Sequence, residues 1–369
     1  MCGSIMRIIL CGNKERISKI ASHVRDKTLI DSCAIDIESI DYMEKISDFH
    51  RQIENSRDEI LFIANEKEYE VLQSFGIPEK CVLRYELFSG VTFYNPIAQY
   101  DNSVDSLIFG MSHSQSAINV NELKDGVYYK VAAPSMDLFL HLSYLKLLGR
   151  NNGGELKNIK KIIIELPYYI FNYDLSCFDG FVHTKLNYFE IINNYHNFGK
   201  DDKQKEIISM FKLYYKYFLS PCVDEQKPRG NSWFMRPIKW VYHQYVSVRS
   251  SVLNQDKVWS QYFEKTVEEN VTYWNDFLKV AKKICPNAKI VVLVMPFNSL
   301  FTITHKMQIQ ANKRIFYTKL RKNDEIKVID DFDLHYGFWN FYDHCHLNKR
   351  GSKKYMVHLN NLLMNEKYI

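Results

Sequence analysis

Short apolar runs alternate with amphipathic stretches along this chain, and the alternation predicts its architecture. Met6 to Cys11 is an apolar run of strand length, and Asn13 to Lys27 sets Ile17, Ile20, Ala21 and Val24 at helical spacing. The pattern recurs with a strand over Glu59 to Ala64, a helix over Glu66 to Phe75 and a strand over Cys81 to Leu83, with Gly76 and Pro78 ending the helix. A small three-layer α/β unit therefore occupies residues 1–97. The turn-rich stretch Phe88 to Asp105, with Ser89, Gly90, Asn95, Pro96, Asp101, Asn102 and Ser103, reads as the link to a second domain. That domain's series places strands at Ser106 to Gly110, Val127 to Ala133, Ile159 to Leu166, Lys289 to Met295 and Ile326 to Ile329. Helical segments lie between several of them, notably Met136 to Leu148 and Lys306 to Lys322. Near-continuous apolar strands separated by helices predict a parallel sheet covered on both faces, over 98–369. From about 175 to 260 helical, aromatic sequence interrupts the alternation, with Tyr214, Tyr215, Tyr217, Phe218, Trp233, Phe234, Trp240 and Tyr242. An insertion at the carboxyl end of a parallel strand lies on the edge where such sheets bind ligands, so it is expected to cap the site.

Length and composition agree with two ordinary globular domains. The chain has 369 residues, and 46% hydrophobic with 25% charged residues excludes a collagenous or wholly disordered protein. The 25 Tyr and 23 Phe suggest aromatic-lined surfaces, although an AT-rich genome would enrich the same residues. The net charge of +5 is a small difference between 48 basic and 43 acidic residues and gives no reason to expect a nucleic acid partner. The eight cysteines are scattered singly, without disulfide-framework or zinc-knuckle spacing, and read as reduced thiols. The apolar run before Cys11 is too short for a secretion signal, and no stretch reaches the roughly 18 apolar residues of a membrane span. A soluble, cytoplasmic protein is expected.

Two segments carry the chemistry. One is Gly110-Met111-Ser112-His113-Ser114, leaving the first strand of the second domain. The other is Asp343-His344-Cys345-His346, before Gly351 and a helical run. A serine on a tight turn after a strand exposes its hydroxyl at the sheet edge, and the backbone N–H groups of a following helix start face a developing oxyanion. The hydroxyl is a weak nucleophile and needs a base. His346 can supply it, with Asp343 three residues earlier fixing the imidazole tautomer.

The arrangement resembles the SGNH (GDSL-like) hydrolase superfamily. Gly110-x-Ser112 matches the nucleophile block, with Met111 where the family name has Asp, and Asp343-x-x-His346 matches the late Asp/His block, over residues 98 to 369 without the insertion. The resemblance implies a flavodoxin-like three-layer parallel sheet and a Ser112, His346, Asp343 triad. The oxyanion-hole blocks depart from the pattern. Ala132-Ala133-Pro134-Ser135 stands where the family has Gly, and Pro134 has no N–H, which leaves the backbone of Ser135 beside that of Ser112. Leu166 to Asn172 stands where the family has Gly-x-Asn, and Asn172 or a tyrosine hydroxyl of this stretch could stand in as the third candidate. Such divergence looks like the branch that O-acylates surface polysaccharides. It implies an O-acetyltransferase of capsule or similar biosynthesis, with acetyl-CoA as donor, a sugar or polysaccharide as acceptor and no tightly bound cofactor. A carbohydrate esterase uses the same intermediate. A glycan-binding scaffold would keep the fold without turnover. The first unit is similar to a Rossmann-like module, yet no G-x-G-x-x-G follows its first strand and no nucleotide site is assigned.

The same residues have plainer readings. Ser112 could cap a helix, His113 and Ser114 read as turn and cap residues, and Asp343 and His346 could be an N-cap and a surface histidine. His335, Asp343, His344, Cys345 and His346 are all metal-ligand types, but adjacent residues point in different directions, and no metal is assigned. The stretch Arg229 to Arg249, with Trp233, Arg236, Lys239, Trp240 and Tyr245, could stack on sugars, grip phosphates or touch a membrane surface. It could equally pack its aromatics inward.

Overall fold

The computed structural model describes residues 6–31, 34–55, 59–88, 93–178, 181–218, 264–320 and 326–365. The chain divides into two compact units, Met1–Tyr94 with Asp179–Arg229, and Asn95–Phe178 with Gly230–Ile369.

The first unit opens with β1 (Met6–Leu10), α1 (Lys14–His23), α2 (Tyr42–Asn55), β2 (Glu59–Ala64), α3 (Glu66–Ser74) and β3 (Val82–Arg84). The strands are parallel in the order β1-β2-β3. Asn13 caps α1, and Asn65 caps α3 in a reciprocal box with Glu68, which fixes where each helix leaves its strand. Helix α2 is an addition to the expected pattern. Its apolar stripe, Ile46, Phe49 and Ile53, is thin and interleaved with charge, yet it covers Ile9, Ile60 and Phe62.

The chain then enters the second unit with β4 (Ser106–Gly110), α4 (Ser112–Ala117), β5 (Tyr128–Ala132), α5 (Leu138–Asn151) and β6 (Lys161–Glu165). It returns to the first unit as α6 (Val182–Ile192) and α7 (Asp202–Tyr217). Here the expected organisation needs correction. The boundary falls at 94/95 rather than 97/98. The described part of the aromatic insertion counts with the first unit: Phe211 and Tyr214 of α7 pack on Phe88 with ring centroids 5.4 and 5.1 Å apart. Apolar periodicity shows that a helix has a face to bury but not which sheet it is buried on. Trp233, Phe234, Trp240 and Tyr242, and all of Arg229 to Arg249, lie outside the described residues.

The second unit resumes with α8 (Glu264–Ile284), β7 (Lys289–Val294), α9 (Ser299–Thr304), α10 (Lys306–Leu320), β8 (Ile326–Asp330) and α11 (Lys349–Leu363). Its sheet has five parallel strands in the order β5-β4-β6-β7-β8. Every residue of β4 and β6 is buried, as expected for central strands covered on both faces. Helix α11 lays Met356, Leu359 and Leu363 on Ile108, Ile163 and Val291. On α8, Phe277 meets Phe109 of β4 edge to face at 5.4 Å. This is a mixed α/β fold with parallel sheets. Because all five strands run the same way, the residues following β4, β5, β6, β7 and β8 share one edge, the edge that binds ligands in open α/β sheets. Among the described residues, no helix is long and apolar enough to cross a membrane.

Candidate active site

Ser112 is the first residue of α4, two residues after Gly110 ends β4, with Met111 between them. The turn is tight because Gly110 has no side chain: a Cβ there would lie 2.0 Å from Ser114 Oγ and 3.1 Å from Glu165 Cβ. Ser112 remains partly exposed.

Asp343 and His346 lie in a short loop closed by an antiparallel bridge between Phe341 and Leu347, with the Tyr342 amide donating to the His346 carbonyl at 2.7 Å. Asn348 pins its far end. The Asn348 side-chain carbonyl caps α11 by accepting from the amides of Arg350 and Gly351, and its amide donates to the Trp339 carbonyl at 2.7 Å. Asn348, not Asp343, is therefore the N-cap of this helix. Gly351 is what lets α11 lie this close. A Cβ on it would sit 2.1 Å from the Asn340 carbonyl oxygen, a backbone atom with no freedom to swing away. Gly351→Ala should therefore lower stability by about 1–3 kcal/mol, the scale of overpacking. It should also lower activity more than the stability loss explains, because the displaced loop carries the histidine. A urea titration would check the first, and turnover by the folded fraction the second.

The two segments meet. His346 Nε2 lies 2.7 Å from Ser112 Oγ, and His346 Nδ1 lies 2.6 Å from Asp343 Oδ2. The other carboxylate oxygen, Oδ1, accepts from the amides of His346 at 2.7 Å and Cys345 at 2.9 Å. Burial works to raise the Asp343 carboxyl, but the His346 ring and these amides outweigh it and hold the group well below the usual carboxylate range. An ionised Asp343 can only accept, so Nδ1 carries the proton and Nε2 presents its lone pair to the serine hydroxyl.

A further group of residues lies beneath this chain, and sequence reasoning missed it. Glu165, the last residue of β6, is fully buried. It accepts from the Met111 amide at 2.7 Å and from Ser114 Oγ at 3.4 Å, and it lies 3.0 Å from His113 Nδ1. His113 and Ser114 are thus more than turn and cap residues. The signal was a lone acid ending the apolar run Ile162-Ile163-Ile164. The His113 ring lies between Phe297 and His346, with centroid distances of 5.3 and 5.2 Å.

The remaining candidates are dispersed around this centre. Ser135, after β5, has a left-handed backbone with φ 61°, and its carbonyl accepts from the Tyr173 hydroxyl at 3.3 Å. Asn172 is buried and donates through Nδ2 to Asn312 Oδ1 at 2.9 Å, while its Oδ1 has no partner among the described residues. His335 is exposed and outside the cluster. His113, Cys345 and His346 bring ligand-type atoms within 4.8 Å of one another, as do Asp343, His344 and Cys345. However, both nitrogens of His346 are engaged, and burial pushes the Cys345 thiol well above its ordinary value, so it holds its proton and is a poor ligand. Burial likewise drives His344 down to about 3, so this ring is neutral at pH 7.

No protein-family model matches the chain, and no curated protein matches it. Among solved structures, an acetyl xylan esterase (Est2A) from the rumen bacterium Butyrivibrio proteoclasticus is similar with a TM-score of 0.27 and 11% identity. The likeness covers 71% of this chain and 63% of that one.

Proposed function

We propose that the second unit is a serine-dependent acyl-transfer enzyme of the SGNH type, acting on carbohydrate through an acyl-Ser112 intermediate. The observation that carries the proposal is the unbroken chain Asp343–His346–Ser112, with bonds of 2.6 and 2.7 Å. The strand order β5-β4-β6-β7-β8, with the nucleophile after β4 and the Asp-x-x-His pair after β8, supports the flavodoxin-like reading. The three parallel strands of the first unit suit a Rossmann-like module.

In this reading Ser112 Oγ attacks the carbonyl carbon of an ester or thioester while His346 Nε2 takes the hydroxyl proton. Asp343 stabilises the imidazolium that forms. The carbon–oxygen or carbon–sulfur bond then breaks, and Nε2 returns the proton to the leaving group. In the second half an acceptor hydroxyl loses its proton to Nε2 and attacks the acyl carbon, and the proton goes back to Ser112. The backbone N–H groups of Ser112 and Ser135 and the side chain of Asn172 are the candidates for holding the oxyanion. A sugar hydroxyl as acceptor makes the enzyme an O-acetyltransferase, for which acetyl-CoA is a fitting donor. Water makes it an esterase. Tyr342, in the loop that carries Asp343 and His346, and Trp339, just before it, are 54% and 42% exposed and offer aromatic faces to a sugar ring.

A fluorophosphonate probe should label Ser112 and no other serine, and acetyl-CoA with a polysaccharide acceptor should release CoA faster than acetyl-CoA alone. Equal release with and without acceptor selects the esterase. A chain left bare by the probe is a glycan-binding scaffold.

A further inference from the structure

Glu165 and His113 are the most deeply buried charged and titratable groups beside Ser112, with exposures of 0% and 3%, and the triad mechanism uses neither. Their geometry is specific. One carboxylate reaches the residue before the nucleophile, through the Met111 amide, and the residue after it, through the His113 ring. The same ring then lies against the ring of His346, which takes the serine proton.

We infer that Glu165 and His113 form a second, buried carboxylate–imidazole pair that positions both partners of the Ser112–His346 bond. Glu165 holds the turn that aims the serine hydroxyl, and His113, held by Glu165, is the floor on which the His346 ring rests. Both are positioning residues, since neither touches Ser112 Oγ. The inference rests on the triad reading and deepens it.

The charge state of the pair is set by its surroundings. Burial works to raise the Glu165 carboxyl, while the His113 ring, the Met111 amide and the His141 ring outweigh it, so the group sits below its ordinary range and is ionised at pH 7. An ionised carboxylate accepts, which places a proton on His113 Nδ1. Gly110 completes the arrangement, because any side chain there would push into Ser114 and Glu165. A short six-residue helix without a side-chain cap of its own is thereby anchored to the central strand β6.

The pair makes a distinctive expectation. Glu165→Gln keeps size and one accepting oxygen but cannot accept from both Met111 and His113, so the nucleophile turn loosens. The rate of fluorophosphonate labelling at Ser112, and kcat on p-nitrophenyl acetate, should each fall by about 10- to 100-fold with KM changed less than about twofold, the signature of misplacement rather than lost binding. His113→Gln, which keeps a hydrogen-bond donor but removes the ring under His346, should fall in the same range. Nitrogen-15 histidine spectra test the idea without turnover. In the full-length wild-type protein His113 and His346 should both be protonated at Nδ1, with exchange-protected protons, and Glu165→Gln should broaden or shift the His346 signal although Glu165 does not touch that ring. A deprotonated Nδ1 on His113, an unmoved His346 signal, or labelling of Glu165→Gln at the wild-type rate would overturn the inference and leave the triad standing. Labelling that persists in Ser112→Ala would remove the triad reading instead, and the histidine spectra would still decide whether the pair exists.

Discussion

Ser112→Ala and His346→Ala should each remove nearly all turnover on a small acyl ester, with losses on the order of 10⁶ in kcat, and the double variant should lose little more. The near-equality comes from geometry. With Nε2 2.7 Å from Oγ, the proton leaves as the bond to carbon forms, so either residue without the other is idle. Asp343→Asn should be milder, on the order of 10⁴, for a reason visible in the loop. Asp343 uses Oδ1 for the amides of Cys345 and His346 and Oδ2 for the ring. An asparagine satisfies the amides with its carbonyl and turns its NH₂ toward Nδ1. This forces the proton onto Nε2, where the base is needed. All three folds should survive, since none of these side chains is fully buried, and circular dichroism would confirm it. Wild-type turnover in all three would end the Ser-His-Asp assignment.

The sheet of the second unit was legible because its parallel strands are near-continuous apolar runs. Ser106–Gly110 and Glu59–Ala64 are found with the limits expected for them, and Lys289–Val294 and Ile326–Asp330 within a residue. The helices were less clear where their stripe was thin, as in α2, or where aromatic residues blurred it, as in α6 and α7. Ser112, Asp343 and His346, which the structure brings within hydrogen-bond reach, could be singled out because Gly-x-Ser leaves a well-determined strand and Asp-x-x-His is a short, recognisable spacing. Glu165 and His113 could not, since neither belongs to a pattern with a name. A carboxylate in the interior is legible only through its partners, and those lie 52 and 54 residues away in sequence. The unit to which 179–218 belongs was equally hidden, because it depends on contacts with Phe88 across more than a hundred residues of chain.

Mild acid should destabilise the second unit well before its carboxylates titrate, and His141 is the main reason. It lies on α5 with no exposed surface, its ring edge-on to Phe109 at 6.2 Å, and neither ring nitrogen has a partner among the described residues. Burial pushes it down to about 4 from an ordinary 6.5. Proton uptake gives the direction of the effect. Between these two values the unfolded chain binds the proton and the folded protein does not, so stability is complete above about pH 6.5 and is lost as pH falls toward 4. The loss is on the order of 3 kcal/mol for this group. His344, driven down to about 3, adds in the same direction. Asp343 and Glu165 are depressed carboxylates, whose contribution is held above their unfolded values and lost only at lower pH. His141→Leu separates these effects. It removes two unpaired nitrogens from an apolar slot, so it should be neutral or stabilising at about pH 7 and should flatten the fall in urea midpoint between about pH 6.5 and 4. If the midpoints of wild type and His141→Leu fall in parallel with acid, His141 is not the group that sets the acid limit, and the weight shifts to His344, whose replacement would disturb the loop that carries His346.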